Sequence, residues 1–100
     1  MSAPFDLTGT TAVVTGGGRG LGLGISIALL EAGADVIVFG RSALPVELIG
    51  LAASLGRRVD LEVLDLADSA AIAATAAKVL ATRRVDILVN NAGTQDRYPA

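Results

Sequence analysis

The chain contains no cysteine and no histidine. Disulfides, thiol chemistry, zinc centres built on those ligands and imidazole acid/base catalysis are therefore excluded. Lysine occurs once, at Lys78, and tyrosine once, at Tyr98. No apolar run approaches the roughly 20 residues of a membrane-spanning helix. Met1 to Thr10 has neither a basic leader nor a long apolar core, so neither a signal nor a transit peptide is expected. Charge of one sign is also scarce. Lys+Arg 8 against Asp+Glu 10 leaves a net charge of -2, which argues against nucleic acid or an anionic membrane as the main partner. The expectation is a soluble, cytoplasmic protein.

Apolar residues, by contrast, fill 52 % of the 100 positions. That is enough to repay the ordering entropy of one domain and leaves no room for a second. They fall in a strict alternation. Thr10 to Thr15 is a β-branched run ended by glycines, as in a buried strand. Gly20 to Ala32 follows with apolar residues at Leu21, Ile25, Ala28, Leu29 and Ala32, one helical stripe, and Gly33 to end it. Asp35 to Phe39 is a second apolar strand. Ser42 suits the cap of the next helix and Pro45 its first turn, with a stripe of Leu44, Leu48, Leu51, Ala52 and Leu55 and a stop at Gly56.

Arg58 to Leu64 alternates polar and apolar residues, as a strand at a sheet edge would. Asp68 or Ser69 caps a third helix that turns Ile72, Ala76, Val79 and Leu80 inward. Val85 to Val89 is a fourth strand, followed by Asn90-Asn91-Ala92-Gly93. The order β-α-β-α-β-α-β predicts an α/β fold, a parallel sheet with helices on both faces. Right-handed crossovers then favour strand order 3-2-1-4, the first half of a doubly wound, Rossmann-type sheet.

The segment Thr15-Gly16-Gly17-Gly18-Arg19-Gly20-Leu21-Gly22 lies where the first strand hands over to the first helix. A helix N-terminus there offers unpaired N–H groups and partial positive charge. Glycines let a pyrophosphate come close to the backbone. No Lys follows any of these glycines, so a P-loop is excluded. The Gly-x-Gly-x-x-Gly spacing also fails in every register. What remains is Thr-Gly-x-x-x-Gly-x-Gly, filled by Thr15, Gly16, Gly20 and Gly22. Nucleotide binding is the expectation, against the plainer reading of a flexible glycine turn.

This glycine pattern, with Asn90-Asn91-Ala92-Gly93 after the fourth strand, resembles the short-chain dehydrogenase/reductase family. The likeness takes in Leu7-Thr8-Gly9, Ala32-Gly33-Ala34, Asp65-Leu66 and Asp86-Ile87-Leu88-Val89. It implies that Gly16, Gly18, Arg19, Gly20 and Leu21 surround a pyrophosphate and the adjacent ribose, and that Gly22 permits close helix–strand packing. It implies that Asp65 and Leu66 flank an adenine, and that Asn91, Ala92 and Gly93 line the ribose side of the cofactor. Asn90 would tie neighbouring strands together. At the end of the second strand an acid would favour NAD(H). Gly40 vacates that position, Arg41 offers a bidentate cation to a 2′-phosphate, and Arg19 adds a second charge, so NADP(H) is favoured over NAD(H). The contrary reading has Arg41 stacking on adenine or facing water.

A finer likeness rests on Phe5-Asp6-Leu7, Gly20-Leu21-Gly22-Leu23-Gly24-Ile25, Leu55-Gly56-Arg57-Arg58 and Asn91-Ala92-Gly93. It is to the sugar-acid branch typified by 2-deoxy-D-gluconate 3-dehydrogenases, whose members usually use NAD. Arg97 would then face a substrate carboxylate, unless it is simply a solvated loop charge.

The family's chemistry is hydride transfer between nicotinamide and an alcohol or carbonyl carbon, with Tyr-x-x-x-Lys and a Ser as catalytic groups. Tyr98 has two residues after it and Lys78 precedes it, so that motif is absent. The expectation is an N-terminal part, residues 1–100, of a longer NAD(P)-binding domain, holding a cofactor half-site and no catalytic residue. Its fourth strand would be an exposed apolar edge. The full-length form would act on a small alcohol or ketone substrate and form a homo-oligomer, commonly a tetramer. A non-catalytic dinucleotide-binding or redox-sensing module is the alternative, and a ligand-free structural piece a third.

Overall fold

The computed structural model describes residues 5–91. Seven elements alternate along the chain: β1 (Thr11–Thr15), α1 (Gly20–Glu31), β2 (Asp35–Gly40), α2 (Val46–Leu55), β3 (Val59–Val63), α3 (Ser69–Thr82) and β4 (Ile87–Asn90). All strand pairs are parallel, and the order is β3-β2-β1-β4. Both the Rossmann-type order and the edge position of β3 are as the sequence predicts. No described helix is long and apolar enough to cross a membrane.

The period of two along the strands sorts their side chains onto two faces. Val14, Val36 and Val38 point one way and meet Leu30 of α1 and Leu48 and Ala52 of α2. Val13, Ile37 and Phe39 point the other way and meet Leu64 and, from α3, Val79. Two helices thus cover one face and a single helix the other. β3 lies opposite β2 with Asp60 level with Ile37 and Glu62 level with Phe39. These two acids therefore sit on the α3 face, where Asp60 pairs with Arg58 at 3.1 Å and Arg83 at 2.8 Å, and Glu62 with Lys78 at 2.8 Å.

Element ends follow local chemistry. Gly56 closes α2 in the left-handed region at φ 69. The Asp68 carboxylate caps α3 by accepting from the Ala71 N–H at 3.1 Å. Ser42, by contrast, does not cap α2. That helix starts after Pro45, at φ -59 and ψ 141, with no side-chain cap. A proline disfavours helical geometry in the residue before it, and Pro45 itself stands outside the helix as its cap residue, so Ser42 is left too far upstream. β4 begins two residues later than the sequence predicts, because Asp86 is engaged with Thr11. Its carboxylate accepts from the Thr11 N–H at 3.0 Å.

The larger correction concerns which face of α1 is inward. The buried line is Gly22, Ser26 and Leu30. Leu21, expected inward, is 68 % exposed, and Ala28 is exposed too, whereas Ile25 and Leu29 of the expected stripe do pack against the cluster around Leu30. Residues 20–31 are apolar nearly all round, so periodicity fixes no phase. Steric fit does so instead, because Gly22 has to seat the first turn on the Gly16 oxygen. Leu80 of α3 and Leu55 of α2 also face outward, at 61 % and 41 %; α3 meets the sheet through Val79. We expect Leu30→Ala to cost about 2–5 kcal/mol in urea unfolding and Leu21→Ala to stay within about 0.5 kcal/mol. Equal losses would contradict this helix phase.

Candidate functional site

The turn between β1 and α1 is held from three sides. The Gly16 N–H donates to the Phe39 carbonyl of β2 at 2.8 Å. The Gly16 carbonyl accepts from Asn91 Nδ2 at 3.4 Å, from just beyond β4. The Gly17 carbonyl accepts from Ser26 Oγ at 2.9 Å, from within α1. A Cβ on Gly22 would fall 2.0 Å from the Gly16 oxygen and 2.7 Å from Asn91 Nδ2. Gly22 thus lets the first turn of α1 rest directly on the end of β1. Gly16, at φ 67, also needs the conformational freedom of glycine.

Arg19 precedes α1 in extended geometry and makes no side-chain cap; the first helical turn carries no acid. The unpaired N–H groups and partial positive charge of that end therefore remain available. They open onto a groove of about 780 Å³ across the carboxyl ends of β1, β2 and β3. Its walls include Gly16, Gly18 and Arg19 from the turn, Gly40 at the end of β2 with Arg41 and Ser42 after it, and Asp65, Leu66 and Ala67 after β3. Neither Arg19 nor Arg41 joins an ion pair among the described residues. Asp65 Oδ1 accepts from the Ala67 N–H at 2.9 Å, which shapes that loop and leaves Oδ2 to the groove.

Six of the predicted site residues therefore share one groove: Gly16, Gly18, Arg19, Arg41, Asp65 and Leu66. Gly20 and Leu21 stand on the adjoining helical turn. Gly22 is buried beneath it, where the sequence places it for packing. Asn91 is 4 % exposed and lies under the turn. Asn90 ties strands together as expected, since Thr15 Oγ1 lies 3.2 Å from Asn90 Oδ1. Ala92, Gly93, Arg97 and Tyr98 lie outside the described residues. Sequence reasoning missed Ser42, Val38 and Ala67 as groove residues, and it missed Ser26. The available signal for Ser26 was a lone hydroxyl between two isoleucines, four residues after Gly22. Asp35 sits at the opposite end of β2, its carboxylate accepting from the Arg58 N–H at 2.8 Å.

A dinucleotide fits this donor set. Gly40 has nothing within 4 Å of where a Cβ would stand, and a Cβ on Gly18 would meet only Pro45 Cδ, at 4.0 Å. Open space thus adjoins both Arg41 and the turn amides. A second hollow, about 280 Å³, lies between β3 and α3, but its Arg58, Asp60, Glu62, Lys78 and Arg83 are paired with one another. Among the described residues no acidic cluster could hold a metal.

Residues 10–100 match the family described as short chain dehydrogenase. A 2-dehydro-3-deoxy-D-gluconate 5-dehydrogenase of Bacillus subtilis is 43 % identical over 96 residues, 96 % of this chain and 38 % of the relative. The L-sorbose reductase of Gluconobacter frateurii, solved with NADPH and L-sorbose, superimposes with a TM-score of 0.74 at 28 % identity, over 89 % of this chain and 35 % of that one. The carveol dehydrogenase of Mycobacterium avium, solved with NAD, superimposes with a TM-score of 0.68 at 27 % identity, over 87 % of this chain and 36 % of that one. The chain spans about two fifths of the length of the curated relatives it matches.

Two glycines of α1 are expected to respond with opposite signs. Gly22→Ala should lose about 1–3 kcal/mol or more from the clash with a backbone oxygen. Gly24→Ala, with nothing within 4 Å of its Cβ position, should gain about 0.5–1 kcal/mol from helix propensity. Urea unfolding of the two variants checks this; a tolerated Gly22→Ala would refute the close seat of α1 on β1.

Proposed function

The chain belongs to the short-chain dehydrogenase family, and on that premise we propose that residues 1–100 form the NADP(H)-binding N-terminal part of a single oxidoreductase domain. The observation that carries this reading is the groove in which Arg19 and Arg41, in no ion pair among the described residues, flank a helix N-terminus with no side-chain cap. The turn amides and the positive end of α1 bind the pyrophosphate. Gly18, Gly20 and Leu21 bring backbone to it and to the adjacent ribose. Arg41, with Gly40 leaving room beside it, binds a 2′-phosphate as a bidentate cation. Asp65 Oδ2 accepts from the adenine amino group, and Leu66 packs on the ring. Asn91 supports the turn from below.

When bound, the nicotinamide cofactor supplies or accepts the hydride. The residues of this chain bind and orient it. Tyr98 and Lys78 do not form the Tyr-x-x-x-Lys pair that moves the proton in this family. The names of two relatives, a 2-dehydro-3-deoxy-D-gluconate 5-dehydrogenase and an L-sorbose reductase, support a substrate class. It is a polyhydroxylated sugar or sugar acid whose secondary alcohol interconverts with a ketone. The same reading makes the complete enzyme a cytoplasmic homo-oligomer. A second reading keeps the groove but gives it to NAD(H), as in the carveol dehydrogenase, with Arg41 stacked on adenine.

Fluorescence titration with NADPH and NADH separates the two. Tighter NADPH binding is expected. Arg41→Ala should weaken NADPH by about ten- to hundredfold, the worth of a hydrogen bond to a charged group, and leave NADH within about twofold. Tighter NADH binding by the unmodified protein, or equal losses for both cofactors, would overturn the assignment of Arg41.

A further inference from the structure

We infer that Ser26 is a positioning residue for the glycine turn: its hydroxyl fixes the peptide plane between Gly17 and Gly18 and thereby aims the Gly18 N–H into the groove. The consequence for cofactor affinity rests on the NADP(H) reading above; the positioning itself does not.

Ser26 is fully buried in the middle of α1. Its Oγ lies 2.9 Å from the Gly17 carbonyl and 3.0 Å from the Gly22 carbonyl, and it has one proton to give. The Gly22 carbonyl stands four residues before Ser26 in a continuous helix, so the Ser26 N–H already serves it. The Gly17 carbonyl has no other partner among the described residues, and Gly17 is buried. An unsatisfied buried carbonyl is costly. The proton therefore belongs on the Gly17 oxygen, and the contact with Gly22 is the ordinary backward lean of a helical serine.

The orientation of Gly18 follows from peptide planarity. In a planar trans peptide the carbonyl of one residue and the N–H of the next point in opposite directions. With the Gly17 carbonyl drawn inward to Ser26, the Gly18 N–H points outward, and Gly18 lines the groove. Glycine on both sides of this peptide would otherwise let the plane rotate at little cost. The site at Gly17 is closed as well: a Cβ there would fall 2.7 Å from Ser26 Oγ and 3.0 Å from Val14. Position 17 is thus confined to glycine, and rigidity in the turn has to come from a neighbour. Ser26 supplies it from nine residues away.

The test is Ser26→Ala in the full chain, with Ser54→Ala as control. Ser54 makes only a helix-internal bond, to the Leu51 carbonyl at 2.8 Å. Without cofactor, the ¹⁵N order parameter of Gly18 should fall from about 0.85 to about 0.6 or below in Ser26→Ala, with the amides of residues 27–31 unchanged. The NADPH dissociation constant should rise about fivefold, the worth of one neutral hydrogen bond, with the NADPH-to-NADH ratio preserved because Arg41 is untouched. Ser54→Ala should do neither. An unchanged Gly18 order parameter overturns the inference, and so does a loss of order spread evenly over α1, which would make Ser26 a packing residue only. If the unmodified protein binds no NADPH, the cofactor reading falls and the Gly18 order parameter still decides the role of Ser26. If NADPH binds and Ser26→Ala leaves both measurements unmoved, the cofactor reading stands and this inference falls.

Discussion

The helix α1 has to seat its first turn against a backbone oxygen, that of Gly16, with no side chain between them. A Cβ at Gly22 would lie 2.0 Å from that oxygen. Everything at the groove inherits its geometry from this contact. Gly16 reaches β2 through its N–H and the end of β4 through its carbonyl, so one residue ties the turn to the strands on both sides of β1. The positive end of α1 is thereby fixed at the place where the strand order reverses, between β1 and β4. Parallel sheets of this type offer their binding crevice there.

The rest of the fold serves to hold β1 and β2 still. Both are buried on two faces, and their alternate residues feed two separate clusters, one under α1 and α2 and one under α3. β3 is different. Asp60 and Glu62 turn toward α3 and meet Arg83 and Lys78 there. Pairs this exposed contribute little free energy. They do place charge at the sheet edge, which discourages another strand from adding to it. On the opposite edge, β4 carries Leu88 at 69 % exposure, so the two edges of the same sheet are chemically unlike.

How much of this could be read from the sequence depended on whether local chemistry or tertiary fit decided each feature. Strand order, the Gly56 stop and the Asp68 cap were legible, because a left-handed glycine and a capping carboxylate act within a few residues. The glycine turn was legible because its spacing ruled out competing phosphate loops. The phase of α1 was not. Where nearly every residue is apolar, hydrophobic period carries no information, and the helix turns Gly22, Ser26 and Leu30 inward. Ser42 misled for a related reason: its residue type suits a cap, but Pro45 governs where helical geometry can begin. Ser26 was hidden by the same apolar run, since a single hydroxyl there carries no pattern.

Net charge was similarly uninformative about the groove, and the structure shows why. The chain is slightly acidic overall, yet most of its acids are engaged with neighbours away from the groove. Asp35 and Asp86 sit at the starting ends of β2 and β4, where they accept from the Arg58 and Thr11 N–H groups. Asp6 lies ahead of β1, where hydrogen bonds from Thr8 hold its carboxyl below the usual range. Arg19 and Arg41 stand at the other ends of the strands, beside the positive end of α1. Asp65 is the acid that shares the groove with them, and one of its oxygens is committed to the Ala67 N–H. An anion approaching the carboxyl ends of the strands therefore meets Arg19 and Arg41, which join no ion pair among the described residues, whereas Arg58, Arg83, Arg84 and Lys78 are held by Asp60, Asp86 and Glu62. Local field is set by which charges are paired and where they stand, and a whole-chain sum records neither.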